Sequence, residues 1–336
     1  MIGVAVVGAG NWGRNLVRNF ASLADARLAY VVDLDGATRA AMAAAYPQAV
    51  VTDNIERALA DPDVHACVVA VDATYHYDVA KKCLQAGKHC YVEKPLALAS
   101  ADAAALVELA KARGVKLMVG HLLQYHPAVN YMKNMIDDGR VGQPLYLYFQ
   151  RVNLGIVRKM ENAWWSLAPH DVSVACYLFD AQPVSVSASG QAYLQEGVED
   201  VVFANLKFAD GRMAHIHVSW LDPHKIRKVT LVSSEKMVVF DDMEASEKIR
   251  VHDKSAGRRA GTVASFVEAI TLRTGDILIP AISGEEPLKT ECRHFIEAIM
   301  KNQPPRSDGE DGLRVVKVLE AGSESLRRGG EPVKLN

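Results

Sequence analysis

The chain has 336 residues, room for about two domains at the usual ~150 residues each. It is 49% hydrophobic and 23% charged, and its 38 basic and 40 acidic side chains leave a formal net charge of −2. That balance excludes the strongly basic footprint of a binder of nucleic acid or anionic membrane. No apolar run reaches the ~18–20 residues of a membrane span. The opening MIGVAVVGAG has neither the basic n-region nor the cleavage site of a signal peptide. The five cysteines (Cys67, Cys83, Cys90, Cys176, Cys292) are odd in number and never spaced CxxC. Reduced thiols in the cytoplasm are expected, with neither a disulfide framework nor a structural zinc site.

In chain order, residues 2–8, 28–33, 66–71, 89–92 and 116–119 are apolar, β-branched runs that predict short buried strands. Between them, 14–23, 36–46, 77–86 and 101–113 predict helices, with Gly87 and Gly114 where helix C-caps belong. This alternation predicts a parallel sheet with helices on both faces. After about residue 120 the pattern changes. A helix over 127–138 precedes strand-like runs at 145–152, 184–193, 201–208, 213–220, 227–232 and 237–240. Asp210-Gly211 is a hairpin signal between two of them. Residues 255–262, with Gly257, Arg258, Arg259 and Gly261, predict a loose loop, and helices over 288–300 and 312–327 close the chain. His215 and His217 share one strand face, but no acidic or cysteine partner is spaced to complete a metal site, so no metal is expected.

Gly8-Ala9-Gly10-Asn11-Trp12-Gly13 fits GxGxxG between the first predicted strand and helix. Gly8 permits the tight turn, Gly10 lets a pyrophosphate approach the backbone, and Gly13 permits close helix–strand packing. The helix N-terminus adds amide donors and a positive dipole end. Asp33 ends the second strand 20 residues after Gly13, and Leu34 follows it. A carboxylate there accepts the ribose hydroxyls and repels a 2′-phosphate, which favours NAD over NADP, with FAD as the competitor. The expected fold is an α/β N-terminal Rossmann domain plus an α+β C-terminal domain with a large, mostly antiparallel open sheet. The boundaries expected are 1–120 for NAD binding and 121–336 for substrate binding and oligomerisation, with the C-terminal helices free to pack back on the first domain.

Glu93-Lys94-Pro95 follows the fourth of the first domain's predicted strands. A lysine at the C-terminal end of a parallel strand faces the ligand crevice, and desolvation suits it to acid–base work. Taken alone, a surface lysine paired with Glu93 is the better explanation. With the glycine loop, Thr74…His76 and this tripeptide together, nearly the whole chain resembles the Gfo/Idh/MocA oxidoreductases. The resemblance implies that Lys94 is catalytic. It also implies that Gly8, Gly10, Asn11, Trp12, Gly13, Asp33, Leu34, Thr74, His76, Glu93, Lys94 and Trp165 serve the NAD site.

In the second half, Trp164-Trp165-Ser166…His170-Asp171 carries the resemblance further. The family places an acid and, four positions later, a histidine on one helix face toward the nicotinamide. His170 matches the histidine, whereas Ser166 stands where the acid belongs. Gln150-Arg151-Val152-Asn153, Arg158, Ser219-Trp220-Leu221-Asp222-Pro223, Lys225 and Arg227 are similar to a narrower group, the nucleotide-sugar 3-dehydrogenases that act on UDP-N-acetylglucosamine or its uronate. Arg151, Arg158, Lys225 and Arg227 are cations suited to a diphosphate. Tyr125, Trp164 and Trp165 are rings suited to stacking. Core tryptophans and ordinary surface arginines are the bland alternative. Substrate-side residues are thus expected to be Lys94, His121, Gln124, Tyr125, Arg151, Asn153, Arg158, Trp164, His170, Asp171, Lys225 and Arg227. The resemblance implies oxidation of a sugar hydroxyl by NAD, with Lys94 and His170 as the catalytic pair, in a homo-oligomer (dimer or tetramer). The rivals are another sugar or cyclitol dehydrogenase, a 3-ketosugar reductase and a non-catalytic NAD-binding sensor.

Overall fold

The computed structural model describes residues 1–155, 157–158, 161–258 and 270–335. These fall into two compact units, one made of residues 1–125 and 285–317, the other of 126–284 and 318–336.

The first unit begins with β1 (Ile2–Val7), α1 (Gly13–Ser22), β2 (Ala26–Val32), α2 (Gly36–Ala45), β3 (Val50–Thr52), α3 (Ile55–Ala60) and β4 (Ala66–Val69). Then come α4 (His76–Gln85), β5 (His89–Val92), α5 (Ser100–Arg113) and β6 (Leu117–Val119). The six strands are all parallel in the order β3-β2-β1-β4-β5-β6. This is the doubly wound Rossmann order, whose ligand crevice opens beyond the strand ends where the order reverses, between β1 and β4. β1, β4 and β5 are continuous apolar runs because both sheet faces are covered. Asp35 caps α2 by accepting the Thr38 amide, and Gly114 ends α5 in the left-handed region at φ 65°.

The second unit contains α6 (Pro127–Asp137), β7 (Pro144–Val152), α7 (Ala163–Phe179), β8 (Pro183–Gln191), β9 (Val201–Phe208), β10 (Met213–Ser219), β11 (Ile226–Ser233), β12 (Met237–Asp241), β13 (Ile249–Arg258) and β14 (Ile270–Leu278). The chain then returns to the first unit with α8 (Pro287–Met300) and the start of α9 (Gly309–Arg327), and ends in the second with the rest of α9 and β15 (Val333–Lys334). The nine strands run β14-β13-β12-β11-β7-β10-β9-β8-β15, antiparallel throughout except for β7 beside β10. Alternation along β9 and through Val218 of β10 buries one face of the sheet, and α7 packs on β7, β9 and β10.

Residues 255–258, expected in a loose loop, instead belong to β13: Ser255, Ala256 and Gly257 pair with Arg273, Leu272 and Thr271 of β14. Ladder pairing overrides the Gly/Arg composition there, and residues 259–262 lie outside the described residues.

Candidate active site

In the first unit the site is built on the strand ends around the crevice. Gly8 turns the chain at φ +90°, and a Cβ there would fall 2.6 Å from the Ala70 carbonyl oxygen; at Gly13 a Cβ would fall 2.0 Å from the Gly8 oxygen. Both positions need glycine, one for the turn and one for close packing. Around Gly10 none of the described residues comes within 4 Å of a Cβ position. That open side of the backbone fits a pyrophosphate cradle ahead of α1. Asp33, just past β2, takes the Ala9 amide on Oδ2 at 2.7 Å and the Asp35 amide on Oδ1 at 2.9 Å. Its carboxylate thus pins the glycine loop to the end of β2. Leu34 is 86% exposed beside it. Thr74 is exposed in the turn after β4, its hydroxyl donating to Asp72. Asn11 and Trp12 are exposed on the loop.

Lys94 stands half-buried at the C-terminal end of β5, between buried Glu93 and Pro95. Glu93 accepts the Trp12 indole N–H at 2.6 Å, the Tyr91 hydroxyl at 3.2 Å and the Lys94 amide at 3.3 Å. Burial raises its carboxyl above the ordinary value, and Trp12, Lys94 and Tyr91 act against that. His76 is a correction. It is 1% exposed, and its ring nitrogens lie 2.7 Å from the Pro95 carbonyl oxygen and 3.1 Å from that of Val71. Burial lowers its pKa. It braces the backbone beside Lys94 and presents no face to a dinucleotide.

Gln124 and Tyr125 are corrections too. Gln124 is 1% exposed and donates to Asp311 at 2.7 Å; Tyr125 is 1% exposed, its hydroxyl 3.0 Å from Ser307. Neither has a surface for a substrate. His121 is equally buried, 3.8 Å from Asp311, and burial lowers its pKa while Asp311 opposes this. Three residues missed in the sequence complete this framework. Arg39 donates to the carbonyls of Asp33 and Leu34, fixing the turn into α2. Tyr91 supports Glu93, and Asp311 joins Gln124. Tyr91 was legible in principle, since residues two apart on a strand share a face. Arg39 and Asp311 gave no such signal.

In the second unit α7 presents half-buried His170 four positions after buried Ser166, so the two share a helix face. Asp171, next in sequence, is buried mid-helix. It takes a two-point bond from Arg151 of β7, with Nη2 at 2.7 Å and Nε at 3.1 Å. Burial raises the Asp171 carboxyl and the guanidinium opposes this. Arg151 and Asp171 therefore engage each other in a buried ion pair. Trp164 is a further correction. It is fully buried, donates to the Leu319 carbonyl at 2.9 Å, and lies where a Cβ on Gly322 would be 2.6 Å from its ring. It is core, not a stacking platform. Trp165 is partly exposed, with its indole N–H on Ser323 at 2.8 Å.

The remaining cations stay accessible. Arg227, opposite Arg151 across β7 and β11, is 45% exposed and lies 3.8 Å from Asp242. Burial and Arg151 lower its pKa. Lys225 is exposed, and Arg158 is exposed and paired with Glu161 at 3.0 Å. Asn153 is half-buried just past β7.

Comparison with known proteins agrees with this architecture. Residues 2–121 match the model of the oxidoreductase family with an NAD-binding Rossmann fold, and residues 129–239 match the GFO/IDH/MocA C-terminal domain. The chain is 28% identical over 312 residues to the UDP-N-acetylglucosamine 3-dehydrogenase of Acidithiobacillus ferrooxidans, covering 93% of each chain. A solved structure of that enzyme superposes with a TM-score of 0.82 at 25% identity, over 98% of this chain and 99% of the other. An inositol 2-dehydrogenase of Rhizobium meliloti is 25% identical over 332 residues, 96% of each chain. The structure of GenD2 from gentamicin A biosynthesis, solved in complex with NAD, shares the fold with a TM-score of 0.82 at 24% identity, covering 100% of this chain and 96% of that one. The chain therefore belongs to the Gfo/Idh/MocA family of oxidoreductases, and its N-terminal unit is an NAD-binding Rossmann domain.

Proposed function

We propose that the protein oxidises the C3 hydroxyl of a nucleotide sugar, UDP-N-acetylglucosamine or its uronate, to the 3-keto sugar with NAD, and so supplies 3-amino-sugar biosynthesis. The reading is carried by Lys94 at the end of β5 in a chain aligned over 93% of its length with a UDP-N-acetylglucosamine 3-dehydrogenase. The amides of the Gly8–Gly13 loop would hold the pyrophosphate, Asp33 the adenosine ribose, and Leu34, Thr74 and Glu93 the rest of the pocket. Bound NAD supplies a hydride acceptor. His170 takes the hydroxyl proton, and Lys94 hydrogen-bonds the same oxygen and steadies its developing charge. The reverse assignment of these two roles is the alternative. Arg227, Lys225 and Arg158 are the cations offered to the substrate diphosphate, with Asn153 on the substrate side.

A second reading, a cyclitol or free-sugar dehydrogenase, is favoured by the full-length similarity to an inositol 2-dehydrogenase and by the engagement of Arg151 with Asp171, which removes one cation from a diphosphate site. The test is a panel of UDP-sugars and inositols with NAD, followed by NADH absorbance, with a keto acceptor added to regenerate any retained NADH.

The enzyme is proposed to work in the cytoplasm, in keeping with its five free, buried thiols. We assign its assembly as a dimer or tetramer to the second sheet's face bearing Tyr146, Phe203 and Met213, which are 46%, 42% and 40% exposed. Light scattering on the purified protein measures the state directly.

A further inference from the structure

The glycine loop and Lys94 are joined by one side chain. Glu93, 8% exposed, accepts the Trp12 indole N–H on Oε1 at 2.6 Å, and on Oε2 the backbone N–H of Lys94 at 3.3 Å. The Tyr91 hydroxyl donates to the same Oε1 at 3.2 Å. An indole N–H only donates and a carboxylate only accepts, so the bond has one direction and is charge-assisted. Trp12 is the residue just before α1, at the end of the loop whose amides would hold the pyrophosphate. Its ring is 43% exposed, so the indole is not held there by burial.

Gly120 leaves room for this cluster: a Cβ there would lie 3.0 Å from Glu93 Oε2 and 2.8 Å from the Tyr91 hydroxyl. On the other side of Lys94, the Pro95 carbonyl lies 2.7 Å from buried His76 Nδ1. Lys94 thus sits between two fixed points, and one of them is bonded to the cofactor loop.

We propose that the Trp12–Glu93 hydrogen bond is a positioning latch, through which the conformation of the glycine loop, and so the loading of the dinucleotide, sets the placement of Lys94. Trp12 and Glu93 are then positioning residues, and the proposal rests on the reading of Lys94 as catalytic. The bond couples the end of the loop to the backbone at Lys94.

The test uses the full-length enzyme with NAD and whichever of UDP-N-acetylglucosamine or myo-inositol it turns over. Trp12→Phe should lower kcat about tenfold while the Kd for NADH stays within about threefold. Added to Lys94→Ala, it should change the residual kcat by less than about twofold, because its route is already gone. Equal losses of kcat and NADH affinity, or losses that multiply with Lys94→Ala, would overturn the latch. A second arm labels the tryptophans with 5-fluorotryptophan and identifies the Trp12 fluorine resonance by its absence in Trp12→Phe. Glu93→Gln should shift that resonance, and an unmoved signal rejects the Trp12–Glu93 bond itself. Near-normal turnover of Lys94→Ala instead overturns the catalytic reading beneath the proposal. The two failures are separable, because the fluorine signal does not depend on turnover.

Discussion

Arg151 and Asp171 form a two-point ion pair with side chains 10% and 2% exposed, tying β7 to α7, the helix that carries His170. A buried pair of this kind aligns elements more than it adds stability, and removing one partner leaves a charge without compensation. Asp171→Asn should therefore destabilise the protein by about 3–5 kcal/mol in urea denaturation. Replacing both residues with apolar ones, Arg151→Met with Asp171→Leu, should recover most of that loss. A double variant as unstable as the single one would show that the pair's net attraction, not the orphaned charge, sets the effect.

Asp33 should make the enzyme prefer NAD. Its carboxylate is anchored by the Ala9 and Asp35 amides, so a 2′-phosphate would meet a fixed negative charge. Asp33→Ser with Leu34→Arg should relax the preference, read as the ratio of kcat/KM values for the two cofactors. Calorimetry showing equal affinity of the wild type for NAD and NADP would remove Asp33 from this role.

The first unit was the more legible half. Its strands are buried on both faces, so β1, β4 and β5 read as plain apolar runs, and the glycine loop is a local motif bounded by a strand and a helix. β3 and α3 escaped notice because three and six residues carry too little periodicity. β13 and β14 escaped because charged and glycine-rich runs become strands only by pairing with each other. In the site, burial is the property that local sequence does not carry. Trp164 looks like a stacking ring until Leu319 and Gly322 close over it from 155 residues or more further along the chain. Tyr125 and Gln124 are likewise enclosed by Ser307 and Asp311. No local pattern announces contacts at such separations.

Glu291 should make stability fall as pH rises. Its side chain is fully buried on α8, and burial, with Glu93 acting in the same sense, raises its carboxyl well above the ordinary value. A raised folded-state value means that the native protein keeps a proton the unfolded chain releases. The contribution is complete below the unfolded-state value and is lost as pH climbs through the folded one. Thermal midpoints measured from about pH 5 to about pH 9 should decline more steeply in wild type than in Glu291→Gln. Parallel curves would assign the pH dependence elsewhere.

The accessible cations should govern substrate affinity. Arg227→Ala or Lys225→Ala should raise KM for a UDP-sugar roughly ten- to a hundredfold, the loss of one charge-assisted bond of about 1.5–3 kcal/mol, with a smaller change in kcat. UDP alone should compete with the sugar substrate. An unchanged KM in both variants would place the diphosphate elsewhere or exclude it.

The central claim is NAD-dependent oxidation of a nucleotide sugar through Lys94. Its most direct measurement is NADH formation from UDP-N-acetylglucosamine or its uronate by wild type and Lys94→Ala, in parallel with myo-inositol, with a keto acceptor present. Turnover of a UDP-sugar by wild type is expected, with little or none of myo-inositol, and a loss of about 10²–10⁴ in kcat for Lys94→Ala. Oxidation of myo-inositol with neither UDP-sugar consumed, or full activity in Lys94→Ala, would contradict it.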